Sequence, residues 1–89
     1  FKTLLQELGL TAETPEQINA NIVYKTKTLN YTSEKDFEQI KTELTEFVEY
    51  WKQYGAILVH WVSGDSLYLG AIYQQSGIIT MRYVMVVIK

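Results

Sequence analysis

The chain has 89 residues, of which 47% are hydrophobic, and a net charge of −2. This is the length of one domain, so we expect residues 1–89 to form a single unit. The absence of cysteine excludes disulfides and zinc–thiolate sites. No region is basic enough to predict a nucleic-acid surface. The longest apolar runs, Ala56–Val59 and Tyr83–Ile88, are far shorter than the roughly 20 residues that span a bilayer, so we expect no membrane partner.

The cellular compartment is only weakly indicated. No signal peptide is recognisable, which favours the cytoplasm as an expectation. The chain begins with Phe1 instead of Met, so a removed leader and a larger parent protein both stay open.

Two short helices are predicted near the N-terminus. Apolar residues recur at helical spacing from Phe1 to Leu8, and Gly9 is a typical helix stop. The second helix has a start signal in which Thr14 can cap, a proline takes the first helical position and Gln17 can complete a capping box.

The segment after the second helix has two interpretations. Ile22–Leu29 is rich in β-branched and aromatic residues, which favours a two-turn helix to about Asn21 followed by a strand. The competing interpretation is one helix from Pro15 to about Thr28.

Ser33–Tyr54 predicts one long amphipathic helix, around which the fold is expected to be organised. Thr32 or Ser33 can cap its start, and Gly55 suits its end. One arc about 120° wide carries the apolar side chains, namely Phe37, Ile40, Leu44, Phe47, Val48, Trp51 and Tyr54. The segment 33–55 also holds six acidic and three lysine side chains, which predict a solvated face or, alternatively, an acidic docking surface for a basic partner.

Three strand-like runs follow, at Ala56–Ser63, Leu67–Gln75 and Ile78–Ile88. The short turns between them predict an antiparallel meander. The predicted fold class is therefore α+β, with short N-terminal helices and one long amphipathic helix packed on an antiparallel sheet of three to four strands.

Both faces of this sheet are predicted to be apolar, whereas a sheet with one wet face alternates apolar with polar residues. The long helix can cover only one face, so the N-terminal segments or a second copy of the protein must cover the other. Tyr83–Ile88 has high β propensity and no charge. We expect it to be internal and paired with Ile22–Leu29, or to lie in a dimer interface.

No catalytic motif, cofactor motif or metal-ligand cluster is present in the sequence. The leading hypothesis is a small noncatalytic protein–protein interaction domain that self-associates, as a homodimer, through an apolar sheet face or edge. Tyrosine and arginine are enriched at interface centres. The candidate interface residues are Tyr68, Tyr73, Arg82 and Tyr83.

Two other functions are open. One is a small-molecule pocket between helix and sheet near His60 and Trp61, with Tyr73 as a further candidate. His60 is the only histidine and could act as a base with help from Asp65 or a tyrosine, but a histidine at the margin of the core is the favoured interpretation. The other is a nucleic-acid accessory role through Lys25, Lys27 and Arg82, which the acidic balance disfavours.

Overall fold

A computed structural model of the chain describes residues 1–88, which form three α-helices and five strands around one sheet. In chain order these are α1 Lys2–Glu7, β1 Thr11–Ala12, α2 Pro15–Ile18, β2 Ile22–Tyr31, α3 Phe37–Lys52, β3 Ile57–Ser63, β4 Ser66–Gln75 and β5 Ile78–Ile88. A 3₁₀ turn over Glu34–Asp36 leads directly into α3. The predicted α+β fold class is confirmed.

The sheet has the strand order β1-β3-β4-β5-β2. Its centre is the predicted meander, in which β3 pairs antiparallel with β4, and β4 with β5. The two edge strands add in parallel, β1 beside β3 and β2 beside β5. The sheet is therefore mixed and has one strand more than predicted. With only two residues, β1 is too short to show the alternation by which strands are recognised in a sequence.

The second helix begins as predicted and ends early. The Thr14 amide donates to Gln17 Oε1 at 2.7 Å, and the Gln17 amide donates to Thr14 Oγ1 at 3.4 Å, which completes the capping box. Asn19 then takes a left-handed conformation with φ of 55°, so the helix cannot continue to Asn21. Since β2 starts at Ile22, the helix–strand interpretation is right and the single helix to Thr28 is wrong.

The long helix also starts and ends with capping interactions, but at its start the side chain that accepts hydrogen bonds is Asp36 and not Thr32 or Ser33. Asp36 is the acceptor there: its Oδ2 receives the amides of Thr32 at 2.8 Å and Ser33 at 3.2 Å. These hydrogen bonds lower the pKa of the Asp36 carboxyl, because they favour its charged form. At the other end, Gly55 has the positive φ of 74° expected after a helix.

The main core lies between α1, α3 and one face of the sheet, which we call the helix-side face. On α3, Leu44 and Val48 are fully buried, and they share one apolar cluster with Leu69 of β4 and Val86 of β5. The opposite side, which we call the outer face, carries a smaller cluster of Val59, Ile72 and Met81 with Ile18 and Ala20 packed against it. The region of α2 therefore covers one end of the outer face.

A bulge at Thr26 reverses the alternation of β2. Lys25 pairs with Tyr83, and the next paired residue, Lys27, lies opposite Val84, so Thr26 is the extra residue. Its side chain still serves the sheet, because Thr26 Oγ1 donates to the Tyr83 carbonyl at 3.0 Å. A one-residue shift moves every later side chain to the other face. Leu29, beyond the bulge, consequently packs on the main core.

The uncharged segment Tyr83–Ile88 is internal, which confirms the first of the two predicted alternatives for it. It lies between β4 and β2 and pairs with both. The edge strand next to β5 is β2, which carries the exposed residues Lys25 and Lys27. Lysine at a sheet edge opposes pairing with another chain.

We expect Thr26→Val to lower the free energy of unfolding by about 0.5–1.5 kcal/mol, because valine keeps the shape but loses the hydrogen bond to the Tyr83 carbonyl. Thr28→Val is the matched control, since Thr28 is exposed on the same strand. Urea denaturation of the two variants measures the difference. Equal stability of the two variants would show that the bulge hydrogen bond contributes nothing.

Candidate functional site

The structure distributes the six predicted site residues over three places. Strand alternation and register put Tyr73 and Arg82 on the helix-side face, His60 on the same face near α1, and Trp61, Tyr68 and Tyr83 on the outer face. The four interface candidates are therefore not on one surface. Of the pocket candidates, His60 and Trp61 line one small cavity of about 310 Å³ beside β1, whereas Tyr73 lies in a different cavity.

Tyr73 and Arg82 meet in a cleft between the second half of α3 and strands β2, β4 and β5. We call it the arginine cleft, and its volume is about 800 Å³. Its walls include Lys27, Glu43, Phe47, Trp51, Tyr73 and Arg82. The cleft combines aromatic walls with charged groups, which is the composition common in small-molecule sites.

Arg82 is held in the cleft by two aromatic side chains. Its Nε donates to the Tyr73 hydroxyl at 2.7 Å. Its guanidinium carbon lies 4.9 Å from the centre of the Tyr24 ring, which is within cation–π range. Within residues 1–88 the ion pair is Lys27–Glu43, at 2.6 Å, and Arg82 has no carboxylate partner. The guanidinium is thus oriented while its terminal Nη groups lack an anion.

One wall of the cleft is an aromatic stack. Trp51 lies over Tyr73 with ring centres 4.7 Å apart and planes 16° from parallel. Tyr50 and Phe47 of α3 also line the cleft, with ring centres 5.1 Å and 6.5 Å from that of Trp51. Stacking on Trp51 therefore helps to fix the Tyr73 hydroxyl, which accepts the hydrogen bond from Arg82 Nε.

The outer face carries a second cluster, which we call the aromatic patch: Trp61, Tyr68 and Tyr83. Trp61 and Tyr68 are stacked 5.0 Å apart with planes 3° from parallel, and Tyr83 lies 5.7 Å from Tyr68. Gly70 makes room for this arrangement, since a Cβ there would come within 3.2 Å of Trp61 Cζ3. All three rings are partly exposed.

His60 lies against a third cavity, of about 630 Å³, between α1 and the β3–β4 turn. Its Nδ1 is buried and has no hydrogen-bond partner in residues 1–88. Burial lowers the pKa of His60, because it disfavours the charged imidazolium. Asp65 lines the same cavity, but its Oδ1 accepts a hydrogen bond from Ser66 Oγ at 3.2 Å. The arrangement accordingly forms no acid–base pair between His60 and Asp65.

The cations of the nucleic-acid hypothesis are separated by the bulge. Lys25 pairs with Tyr83 and points to the outer face, whereas Lys27 and Arg82 line the arginine cleft on the other side. Lys27 is also paired with Glu43. The three cations therefore form no continuous basic surface, which phosphate binding would need.

Several cleft residues were not among the predicted site residues. Trp51 belonged to the apolar stripe and was assigned to the core, although it also forms a cleft wall. Lys27 reaches Glu43 only because the bulge turns it toward α3, and no sequence pattern marked that bulge. The partner of Arg82 could have been sought from the meander register, which places Tyr73 and Arg82 on one face of neighbouring strands.

Wider comparisons add no assignment. The chain matches no protein-family model, no curated protein and no solved structure. Across the part of the chain that the structure describes, His, Asp and Glu side chains form no group of three or more suited to a metal ion. In residues 1–88 no helix has the combined length and apolar character needed to cross a membrane.

We expect the stability of the protein to fall as the pH drops below the ordinary histidine pKa of 6.5, because His60 has a lower pKa in the folded state. In that range the unfolded chain binds a proton that the folded chain does not, so acid favours unfolding. The stability contributed by neutral His60 is fully present above pH 6.5 and is lost as the pH falls through the folded-state pKa of this histidine. Urea denaturation between about pH 7.5 and about pH 5 measures this dependence.

His60→Gln is the control, because glutamine is polar and does not titrate. Its stability should change less than that of the wild type over the same pH interval. The same pH dependence in both proteins would mean that another group is responsible. Asp36 is not that group, since its pKa is already lowered from an ordinary value of 3.8.

Proposed function

We propose that the protein is a noncatalytic interaction domain that forms a homodimer through the aromatic patch on its outer face. The observation that carries the proposal is the cluster of Trp61, Tyr68 and Tyr83, which is partly exposed on a face whose other end α2 covers. Tryptophan and tyrosine are, with arginine, the side chains most enriched among residues that dominate binding energy at interfaces.

The distribution of charge favours a second copy on this face. The strand residues that point outward include one charged side chain, Lys25, and it lies at the sheet edge. The opposite surface carries the acidic residues of α3, which would repel one another if two helices met. Docking two outer faces buries aromatic surface without desolvating the Lys27–Glu43 ion pair, which lies on the helix side of the sheet.

The two sheet edges favour this arrangement over edge pairing. β2 presents Lys25 and Lys27 along one edge, and β1 covers part of β3 at the other. Tyr73 and Arg82, although predicted as interface residues, fall outside the proposed interface because they lie in the arginine cleft.

The area that a stable dimer interface must bury requires residues beyond the aromatic patch. A specific interface buries about 800 Å² on each partner, against a total accessible surface of 5519 Å² for the chain. Three aromatic residues do not supply that area. Met85 and Val87 alternate with Tyr83 on the outer side of β5 and are partly exposed, so they extend the patch.

We expect light scattering to report a dimer whose population rises from about 1 to about 500 μM and persists in about 0.5 M salt, since an apolar interface is not screened. Tyr68→Lys places a charge within the patch and should shift the protein to monomer. Tyr54→Lys makes the same change at the end of α3, where Tyr54 is 61% exposed, and should leave the dimer intact.

A wild-type protein that stays monomeric over the whole range would overturn the proposal. Dissociation by salt, or equal effects of the two lysine variants, would assign any association to another surface. Circular dichroism of both variants verifies that the comparison is made between folded proteins.

A further inference from the structure

We propose that the arginine cleft binds a small monocarboxylate with a flat aromatic or apolar body. This site lies on the helix-side face and does not depend on the proposed dimer. The argument rests on the state of Arg82, the charge balance of the cleft and the nature of its walls.

Arg82 is oriented by its neighbours but has no carboxylate partner in the part of the chain that the structure describes, as expected for an arginine that binds an anion. Its Nε is bonded to the Tyr73 hydroxyl and its plane is packed near the Tyr24 ring, yet no carboxylate of residues 1–88 pairs with it. No atom of Arg82 is among the buried side-chain nitrogens and oxygens of residues 1–88 that lack a partner, so its Nη groups are not fully enclosed. A guanidinium fixed at one nitrogen and open at the others presents the planar fork that binds carboxylates in a bidentate manner.

The charges around Arg82 select for a single negative charge. Lys27 and Arg82 on one side and Glu43 and Glu46 on the other all line the cleft, so its formal charge is zero. Lys27 is already occupied by Glu43 at 2.6 Å. A monoanion can pair with Arg82, whereas a phosphate dianion would bring one further negative charge close to two carboxylates.

The walls select for a flat body. The Trp51–Tyr73 stack forms one side, and Phe47 and Val84 also line the cleft. Rings of this kind prefer to meet other flat groups in stacked or edge-to-face arrangements. The volume of about 800 Å³ lies within the range of small-molecule sites.

The first test is a titration of the intact chain with 2-naphthoate, followed by calorimetry and by amide and indole NMR signals. The neutral 2-naphthamide and the dianionic 2-naphthyl phosphate are the matched probes. We expect 2-naphthoate to bind at least about tenfold more tightly than either, because it alone offers one carboxylate to Arg82. The indole signal of Trp51 should shift, and that of Trp61, on the opposite face, should not.

Variants then test the role of Arg82. Arg82→Gln should reduce 2-naphthoate affinity at least about tenfold and leave 2-naphthamide affinity unchanged. Lys41→Gln removes the same charge from an exposed position on α3 and should have little effect. Tyr73→Phe keeps the arginine but removes the hydroxyl that orients it, so a smaller loss is expected, and this conservative change keeps the test available if Arg82→Gln fails to fold.

Any of four results would overturn the proposal. The first three are no binding of 2-naphthoate at millimolar concentration, tighter binding of the phosphate or the amide, and an affinity that neither Arg82→Gln nor Tyr73→Phe changes. The fourth is a shift of the Trp61 indole signal in place of that of Trp51, which would place the probe on the wrong face.

Discussion

The packing of α3 on the helix-side face is the interaction on which the rest of the structure depends. α1 and α2 have six and four residues, and helices this short are not stable in isolation. α3 supplies three buried side chains, Ile40, Leu44 and Val48. Burying each contributes about 1.5–3 kcal/mol. α1 gains its place by adding two leucines to the same cluster.

The bulge at Thr26 decides what else this packing can include. Without the extra residue, Leu29 and Tyr31 would point to the outer face and Lys27 would turn away from α3. With it, the second half of β2 joins the core while Lys27 crosses to Glu43. The arginine cleft lies where β2, still an edge strand, meets the second half of α3. One local irregularity thus completes the core and shapes the cleft beside it.

The sequence patterns predicted elements whose signals are local, and they were less informative about how those elements meet. The capping box at Thr14, the stop at Gly55 and the two-residue turn at Ser76–Gly77 each depend on neighbouring residues, and each is present. The parallel pairing of β2 with β5 joins residues far apart in the chain, and no local signal marks it. It was predicted only because the uncharged segment Tyr83–Ile88 should not lie at an open sheet edge. The bulge left no trace beyond imperfect alternation.

The candidate residues show the same limit. Tyrosine and arginine were chosen by residue type, which identifies side chains suited to recognition but not the surface that each one joins. Alternation along a strand supplies that information once the register is known. Arg82 and Tyr83 are consecutive in β5, so they necessarily lie on opposite faces. Treating them as one interface combined two sites of different chemistry.

This adjacency also bears on whether the two faces can influence each other. Arg82 and Tyr83 share a backbone, but their side chains contact different groups, Tyr73 on one face and Tyr68 on the other. A ligand in the cleft could affect association by moving β4 or β5, the two strands that contribute side chains to both sites. Each of these strands is hydrogen-bonded to a neighbour on both sides, so moving either would disrupt two ladders. Coupling requires an element with two accessible arrangements. The internal positions of β4 and β5 therefore argue that occupation of the cleft and association through the aromatic patch are thermodynamically independent.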